Sequence, residues 1–173
     1  PTWEEVCRAH IAEIAEAIRS AGLSRHKAPI IRAVICTMLQ EGQERLAWLA
    51  TAPLAEAQAW LETLPGVGPK TAACVLLFGL GRPALPVDTH VYRVAQRLGL
   101  LPPRCTSERA HQLLAALVPP EYRAAFHVLL IRHGRQCCHA RNPRCPTCPI
   151  LDYCPTGLVR VGQQSSDGKE TQH

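Results

Sequence analysis

The chain has 173 residues, of which 47% are hydrophobic and 19% are charged, and its formal net charge is +5. This length allows one or two small domains with a hydrophobic core, and no stretch approaches the roughly 20 apolar residues that span a bilayer. A soluble, moderately basic protein is therefore expected, for which a polyanionic partner is plausible and a membrane is not. The first residue is Pro1, so an N-terminal segment could have been removed from this chain.

The chain contains nine cysteines. An odd number, together with the lack of a basic-then-apolar signal segment at the start, favours a reducing compartment over a disulfide-bonded secreted protein. The cytoplasm or nucleoid of a bacterial or archaeal cell is the expected location. Four cysteines stand alone in apolar helical contexts and are predicted to act as buried small hydrophobes: Cys7, Cys36, Cys74 and Cys105.

The hydrophobic periodicity predicts an all-α protein. A capping box at Thr2 and Glu5 begins a helix that is expected to run to about Ser20, and a second helix follows the turn at Ser24. Similar segments recur to about residue 133, separated by prolines, and no alternating strand pattern is present. From residue 156 to 173 the chain becomes polar, which predicts a disordered tail.

The stretch LETLPGVGPKTAACVLLFGL, residues 61–80, places a Gly-x-Gly turn between two helical segments. Gly66 and Gly68 allow backbone angles and close approaches that a side chain would forbid. The N–H groups of such a turn and of the next helix can bind a DNA phosphate. A tight connection between two helices, without any ligand, is an equally good interpretation of the turn alone.

Lys70 lies in the first turn of the second helical segment, where the helix dipole disfavours a cation. A neutral lysine amine can attack a carbonyl-like carbon and form a Schiff base. A surface lysine that binds phosphate is the simpler alternative. Asp88, in LPVDTHVYRV, precedes an amphipathic helix and is predicted to be its N-cap, a role that does not prevent a second role in chemistry.

The stretch CCHARNPRCPTCPILDYC, residues 137–154, contains five of the nine cysteines. Four thiolates within seventeen residues can hold one metal centre, and sulfur ligands suit either zinc or an iron–sulfur cluster. Structural zinc more often uses two short-spaced cysteine pairs, whereas only Cys145 and Cys148 form such a pair here. The residues alone leave both centres open, with His139 as a further candidate zinc ligand.

The motif LPGVGPKTA, followed eighteen residues after its lysine by the aspartate of VDTHVYRV, closely resembles the signature of helix-hairpin-helix DNA glycosylases. The lysine, the aspartate and the cysteine spacing C-x6-C-x2-C-x5-C resemble the endonuclease III branch. The resemblance covers most of residues 1–155. It implies Lys70 and Asp88 as catalytic residues and a [4Fe–4S] cluster whose ligands are Cys138, Cys145, Cys148 and Cys154, with Cys137 left over.

The resemblance also implies contacts with double-stranded DNA that carries a damaged base or an abasic site. Leu23 in AGLSRHKA resembles an apolar wedge that fills the space of an extruded base, although packing under the helix turn would explain it as well. Arg141 and Arg144 could contact phosphates or be simply solvated. The implied DNA-binding residues are Leu23, Leu64, Gly66, Val67, Gly68, Lys70, Arg141 and Arg144.

These features together predict a helical-barrel domain over residues 1–82, with the helix-hairpin-helix at 54–79, and an iron–sulfur domain over residues 83–155. The implied function is a bifunctional glycosylase and abasic-site lyase that removes oxidised pyrimidines, acting as a monomer. The alternatives are another base specificity on the same frame (mismatched thymine, pyrimidine dimers or alkylated bases) or a DNA-binding module without catalysis. Family members have additional N-terminal helices, and no segment of this sequence matches them. The resemblance therefore leaves open whether this chain is fully active as a catalyst.

Overall fold

A computed structural model describes residues 2–167, apart from the side chains of residues 43 and 164–167. Residues 2–167 contain helices and loops but no strand, which confirms the all-α prediction. The α-helices are α1 (Trp3–Arg8), α2 (Ile11–Ala17), α3 (Ser24–Thr51), α4 (Leu54–Glu62), α5 (Pro69–Cys74), α6 (Thr89–Arg97), α7 (Ser107–Leu117), α8 (Arg123–Gln136) and α9 (Pro155–Asp167).

The first helical segment is divided in two. The predicted capping box is confirmed, because Thr2 Oγ1 accepts from the N–H of Glu5 at 3.2 Å and the Glu5 carboxylate accepts from Thr2 N at 2.7 Å. The prediction of one helix to about Ser20 is wrong. His10 is extended, and its N–H donates to the Glu13 carboxylate at 2.8 Å, so a second helix start interrupts the first helix.

Helix α3 is the longest element, and both α1 and α2 pack against it. It is broken at Gly42, whose φ of 73° is not helical. A disulfide joins Cys7 of α1 to Cys36 of α3 across a Cα separation of 5.4 Å. The prediction for the isolated cysteines is therefore wrong: two of them are bonded to each other, and all four are half-buried rather than buried.

The chain divides into two compact units, Pro1–Arg82 (the N-terminal unit) and Pro83–His173 (the C-terminal unit). The core of the N-terminal unit contains many alanines, which allow α3, α4 and α5 to approach closely. Its buried hydrophobic residues are Ile14, Ala28, Leu49, Ala52, Ala57, Leu61, Leu64, Ala72, Ala73 and Leu76. The assignment of residues 1–82 as a helical-barrel domain and of residues 83–155 as an iron–sulfur domain stays a prediction.

Arg82 closes the C-terminal end of α3. Its guanidinium donates to the carbonyl of Leu49 at 2.6 Å and also to the carbonyl of Ala52. Both acceptors belong to the last turn of α3 and its C-cap, whose carbonyls have no partner within the helix. A cation also interacts favourably with this end of the helix dipole.

Replacement of Arg82 by alanine is expected to lower the free energy of unfolding by about 2–3 kcal/mol, because two half-buried carbonyls lose a charged donor. Urea denaturation measures this loss. Arg19→Ala serves as the control, since within residues 2–167 the side chain of Arg19 forms only an exposed ion pair with Glu16, whose loss should cost less than about 0.5 kcal/mol. Equal losses in the two variants would contradict the role of Arg82 in stabilising the C-terminal end of α3.

The C-terminal unit is built on α6, α7 and α8. Extended residues 83–88 lead into α6 and supply part of the core, so that the start of α6 is fixed in position. The buried cluster contains Leu85, Val87, Val91, Ala95, Leu101, Ala110, Leu114 and Val118. His127 of α8 is buried as well, and its Nδ1 is 2.8 Å from the carbonyl oxygen of Pro86.

The disordered tail predicted for residues 156–173 is wrong over its first part, because residues 155–167 form α9. Gly157 allows this helix to approach the preceding segment: a Cβ at this position would lie 2.9 Å from Leu151 and 3.3 Å from Cys154 Sγ. Residues 168–173 lie outside the described part of the chain.

No single helix among the described residues is long and apolar enough to cross a membrane. In the same part of the chain, one pair of helical segments, Ser107–Leu117 and Pro120–Gln136, reaches the required length and composition together, and the two segments are bent by 115°.

Candidate functional site

The predicted helix-hairpin-helix is present in the N-terminal unit. Helix α4 ends at Glu62, and α5 begins at Pro69, with Gly68 as its N-cap. The N–H of Val67 donates to the carbonyl of Leu64 at 3.1 Å, which closes the turn between the helices. After Cys74 the second helix widens into a π-turn over Val75–Gly79.

The two glycines of the turn have different environments. Gly66 has a φ of +69°, and a Cβ built on it would lie 2.7 Å from Cδ1 of Ile30. Gly68 has an ordinary φ of −101°, and a Cβ added there would meet no heavy atom within 4 Å. Gly66 is therefore required by the backbone and by packing, whereas Gly68 leaves an open approach to the backbone at the start of α5.

Gly66→Ala is expected to destabilise the N-terminal unit by about 2–4 kcal/mol, since it combines a left-handed conformation with a clash against Ile30. Gly68→Ala is the matched control, and its cost should stay below about 1 kcal/mol, the loss expected at an N-cap. Chemical denaturation of both variants measures the difference. Similar stabilities would show that the turn does not depend on Gly66.

Lys70 is exposed in the first turn of α5, directly after the glycine turn. Within residues 2–167, no hydrogen bond or ion pair holds its ammonium group, so the side chain can reach an incoming ligand. Leu64 is only 6% exposed, so it can meet DNA through its backbone alone, while Val67 is half-buried. The DNA-binding roles of these residues stay predictions.

Leu23 precedes α3 in a left-handed conformation, with φ 53° and ψ 30°. This conformation is costly for a leucine, and its side chain is nevertheless 73% exposed. The alternative that Leu23 packs under the helix turn is therefore not supported. The carbonyl of Leu23 accepts from His26 and Lys27 N–H groups at 3.1 and 3.0 Å, which fixes the backbone beneath the exposed side chain.

Asp88 is the N-cap of α6 in the C-terminal unit. Its Oδ1 accepts from the N–H groups of His90 at 2.9 Å and Val91 at 2.8 Å. The residue is half-buried, and within residues 2–167 its second oxygen, Oδ2, accepts no hydrogen bond. One oxygen is therefore occupied in capping and the other is available for a proton or a cation.

The clustered cysteines line one cavity of the C-terminal unit. Its walls include Cys138, Cys145, Cys148 and Cys154 together with apolar side chains of Val94, Leu98, Ile150 and Leu151. Two N–H groups already point at sulfur: Arg97 Nη1 lies 3.1 Å from Cys138 Sγ, and the N–H of Gly157 lies 3.3 Å from Cys154 Sγ. Four thiols in an apolar cavity with donors directed at sulfur fit a [4Fe–4S] cluster.

Two thiols of this cavity, those of Cys137 and Cys145, have a raised pKa. Burial, followed by the hydrogen bond and charge of Cys148 and by the charges of Cys138 and Cys145, raises the pKa of Cys137 to about 11. Burial also raises the pKa of Cys145 and lowers the pKa of His133. Since metals bind thiolates, loading of this cavity releases protons and is expected to become more favourable as the pH rises.

Two arginines of α6, which sequence analysis missed, hold the loop between the first two cluster cysteines. Arg93 Nε donates to the carbonyl of Cys138 at 3.1 Å. Arg97 donates to the carbonyls of His139 at 2.7 Å and Ala140 at 3.0 Å. The four-residue spacing of Arg93 and Arg97 does place both side chains on one face of α6. It could not identify their partner, because the loop that they bind lies more than forty residues further along the chain.

Arg141 and Arg144 are both exposed on this loop. Between them, Asn142 adopts a positive φ of 50°, which turns the chain, and the N–H of Arg144 donates to the carbonyl of Cys137 at 3.0 Å. The loop is thus fixed at its base by α6 and by its own backbone, and both guanidinium groups face solvent. An interaction with phosphate remains a prediction.

Residues 1–120 match the family described as HhH-GPD superfamily base excision DNA repair protein. Residues 138–154 match the iron–sulfur binding domain of endonuclease III. Endonuclease III of Bacillus subtilis (strain 168) is 35% identical over 158 residues, which cover 91% of this chain and 68% of that protein. The chain belongs to the endonuclease III family. The resemblance seen in the sequence is thereby confirmed, as is the iron–sulfur binding domain.

Further endonuclease III proteins are similar to this chain in sequence and in structure. Endonuclease III of Escherichia coli (strain K12) is 46% identical over 99 residues, which cover 57% of this chain and 46% of that protein. Among solved structures, a non-covalent endonuclease III–DNA complex has a TM-score of 0.76 at 33% identity and covers 92% of this chain and 71% of that chain. The chain spans about half the length of the first curated relatives that it matches.

Proposed function

We propose that this member of the endonuclease III family is a DNA glycosylase with abasic-site lyase activity that removes oxidised pyrimidines from duplex DNA. The observation that carries the proposal is the position of Lys70, exposed and unbonded within residues 2–167, in the first turn after the glycine turn of the hairpin. If this turn binds a DNA phosphate, the lysine beside it would meet the sugar of the bound nucleotide.

A covalent mechanism is supported by a solved relative. The trapped covalent endonuclease III–DNA intermediate has a TM-score of 0.77 at 33% identity and covers 92% of this chain and 71% of that chain. A covalent adduct requires a nucleophile, and the amine of Lys70 is the group that the family signature brings to this role. The partner proposed for this chain is accordingly double-stranded DNA with a damaged base or an abasic site.

The proposed chemistry begins with extrusion of the damaged nucleotide, which costs a few kcal/mol and is easier at a damaged base. The Lys70 amine forms a bond to the sugar C1′ while the bond to the base breaks and the base leaves with that electron pair. The Asp88 carboxylate either accepts the amine proton or stabilises positive charge on the sugar. The sugar ring then opens: the C1′–O4′ bond breaks, O4′ takes a proton, and the nitrogen and C1′ form the Schiff base. Loss of a C2′ proton from this Schiff base expels the 3′ phosphate by β-elimination.

The [4Fe–4S] cluster, held by Cys138, Cys145, Cys148 and Cys154, would supply a rigid cross-link rather than an electron, because base excision requires no redox step. Arg93 and Arg97 hold the loop that carries Arg141 and Arg144 against α6. The two exposed guanidinium groups are proposed to contact the DNA backbone. This contact would weaken as the salt concentration rises, because phosphate binding releases counterions.

A panel of duplexes tests the proposal: an abasic site, an oxidised thymine, a G·T mismatch and an undamaged control, each treated with the protein and borohydride. Covalent products with the abasic site and the oxidised thymine are expected. A product with the abasic site alone would retain the lyase and overturn the base specificity. Binding of every duplex by cluster-loaded protein, without any covalent product, would overturn catalysis in favour of a DNA-binding module.

A further inference from the structure

His133, Cys137 and Cys148 form a second group of metal donors that overlaps the cluster cysteines at one residue. His133 Nε2, Cys137 Sγ and Cys148 Sγ all lie within 4.8 Å of one another, and the distance from Nε2 to the sulfur of Cys148 is 3.7 Å. His133 lies in the last turn of α8, and Cys137 follows it by four residues at the C-cap, so one helical turn places both donors on the same side.

The spacing of these atoms suits a single tetrahedral ion. Zinc binds cysteine sulfur at about 2.3 Å and histidine nitrogen at about 2.0–2.1 Å, which places neighbouring ligand atoms about 3.5–3.8 Å apart. The separation of 3.7 Å between His133 and Cys148 already falls in this range. The remaining separations, below 4.8 Å, require only small side-chain rotations.

The chemistry of the donors selects the class of ion. Two thiolates and an imidazole favour zinc and similar borderline ions, whereas calcium and magnesium require oxygen ligands. All three residues are half-buried, so a hydrated ion can reach them from solvent. Cys137 also donates to the carbonyl of Arg144 at 3.6 Å, which keeps its thiol beside the loop rather than in the hydrophobic core.

We propose that His133, Cys137 and Cys148 form a zinc site that is an alternative to the iron–sulfur cluster. Zinc binding replaces the two thiol protons, which pass to solvent, and leaves a fourth position for water; no oxidation or reduction occurs. Because Cys148 serves both centres, the two metal states exclude each other. A chain that acquires zinc first cannot complete the four-cysteine set, and zinc thus competes with cluster assembly.

The test uses the full chain purified after expression under iron limitation with added zinc, or with cobalt as a spectroscopic substitute. Metal content is measured by mass spectrometry, and the visible spectrum of bound cobalt reports on sulfur and nitrogen ligands. The wild type is expected to contain one zinc or cobalt per chain. Cys137→Ser should lower the cobalt affinity by more than about tenfold, because even the loss of a residue that only orients a metal ligand costs about that much. The same variant should still assemble the cluster.

Cys138→Ser is the reciprocal variant, since Cys138 belongs to the cluster set alone. It is expected to lose the brown cluster absorbance and to keep cobalt with the wild-type spectrum. His133→Gln should change the cobalt spectrum by removing the nitrogen ligand. Cys105→Ser, a free half-buried thiol elsewhere in the same unit, should affect neither metal. Far-UV circular dichroism of every variant verifies that the helices are retained.

Three outcomes would overturn the proposal. Cys137→Ser could bind cobalt with unchanged affinity and spectrum, which would assign the ion to the cluster cysteines. Cys138→Ser could lose cobalt together with the cluster, which would show one site rather than two. An unchanged cobalt spectrum in His133→Gln would remove the histidine from the ligand set. None of these measurements depends on glycosylase activity.

Discussion

Lys70→Ala is expected to abolish the covalent product that borohydride traps on an abasic duplex, and to lower strand scission by at least about 1,000-fold, as loss of a nucleophile does in other enzymes. The change should leave folding intact, because Lys70 is exposed and makes no hydrogen bond or ion pair within residues 2–167. Gel analysis of the trapped complex measures the product, and fluorescence anisotropy shows whether the duplex is still bound.

Lys27→Ala is the matched control for this experiment. Lys27 also lies in the first turn of a helix, but its ammonium group donates to the carbonyl of Ala21 at 2.9 Å and supports the loop that carries Leu23. Its loss should leave trapping on a preformed abasic site unchanged. If Lys70→Ala still formed the covalent product, another amine would be the nucleophile and the proposed mechanism would be incorrect.

Asp88→Asn is expected to separate the two roles of this carboxylate. Asparagine caps a helix as well as aspartate does, so the free energy of unfolding should change by less than about 0.5 kcal/mol. Base excision should nevertheless fall by about 100- to 10,000-fold, the usual contribution of a positioned acid or base. Single-turnover excision of an oxidised thymine, together with urea denaturation, measures both quantities on the same protein.

Thr106→Ala provides the comparison, because Thr106 caps α7 of the same unit through a 3.2 Å hydrogen bond from the N–H of Arg109. It should cost about 1 kcal/mol of stability and leave excision unchanged. Asp88→Ala should combine both defects. Retention of full excision activity by Asp88→Asn would mean that Asp88 is only a helix cap.

Local features of the fold were predictable because short-range chemistry determines them. The Thr2 and Glu5 capping box, the N-cap at Asp88 and the glycine turn before Lys70 each depend on residues within a few positions of one another. The spacing of the four cysteines is also local, and it resembled that of an iron–sulfur site. The match of residues 138–154 to the iron–sulfur binding domain agrees with this prediction.

Features that depend on distant segments were not predictable in this way. The Cys7–Cys36 disulfide requires the packing of α1 on α3, and the contacts of Arg93 and Arg97 require the fold of the C-terminal unit. The polar sequence of α9 predicts a disordered tail rather than a helix. The close approach of α9 to Leu151 and Cys154 at Gly157 exists only once the cysteine segment is folded.

The segment from Cys137 to Cys154 contains little regular structure, since its helical parts are two three-residue 3-10 turns, Cys145–Thr147 and Leu151–Tyr153. Its backbone turns and the contacts of Arg93 and Arg97 hold it in place without a regular helix, and metal ligation is expected to add much of its stability. Proteases should cut this segment far faster in a chain without its cluster. The amount of the protein in a cell would then follow the supply of iron, because starvation for the metal would expose this segment to degradation.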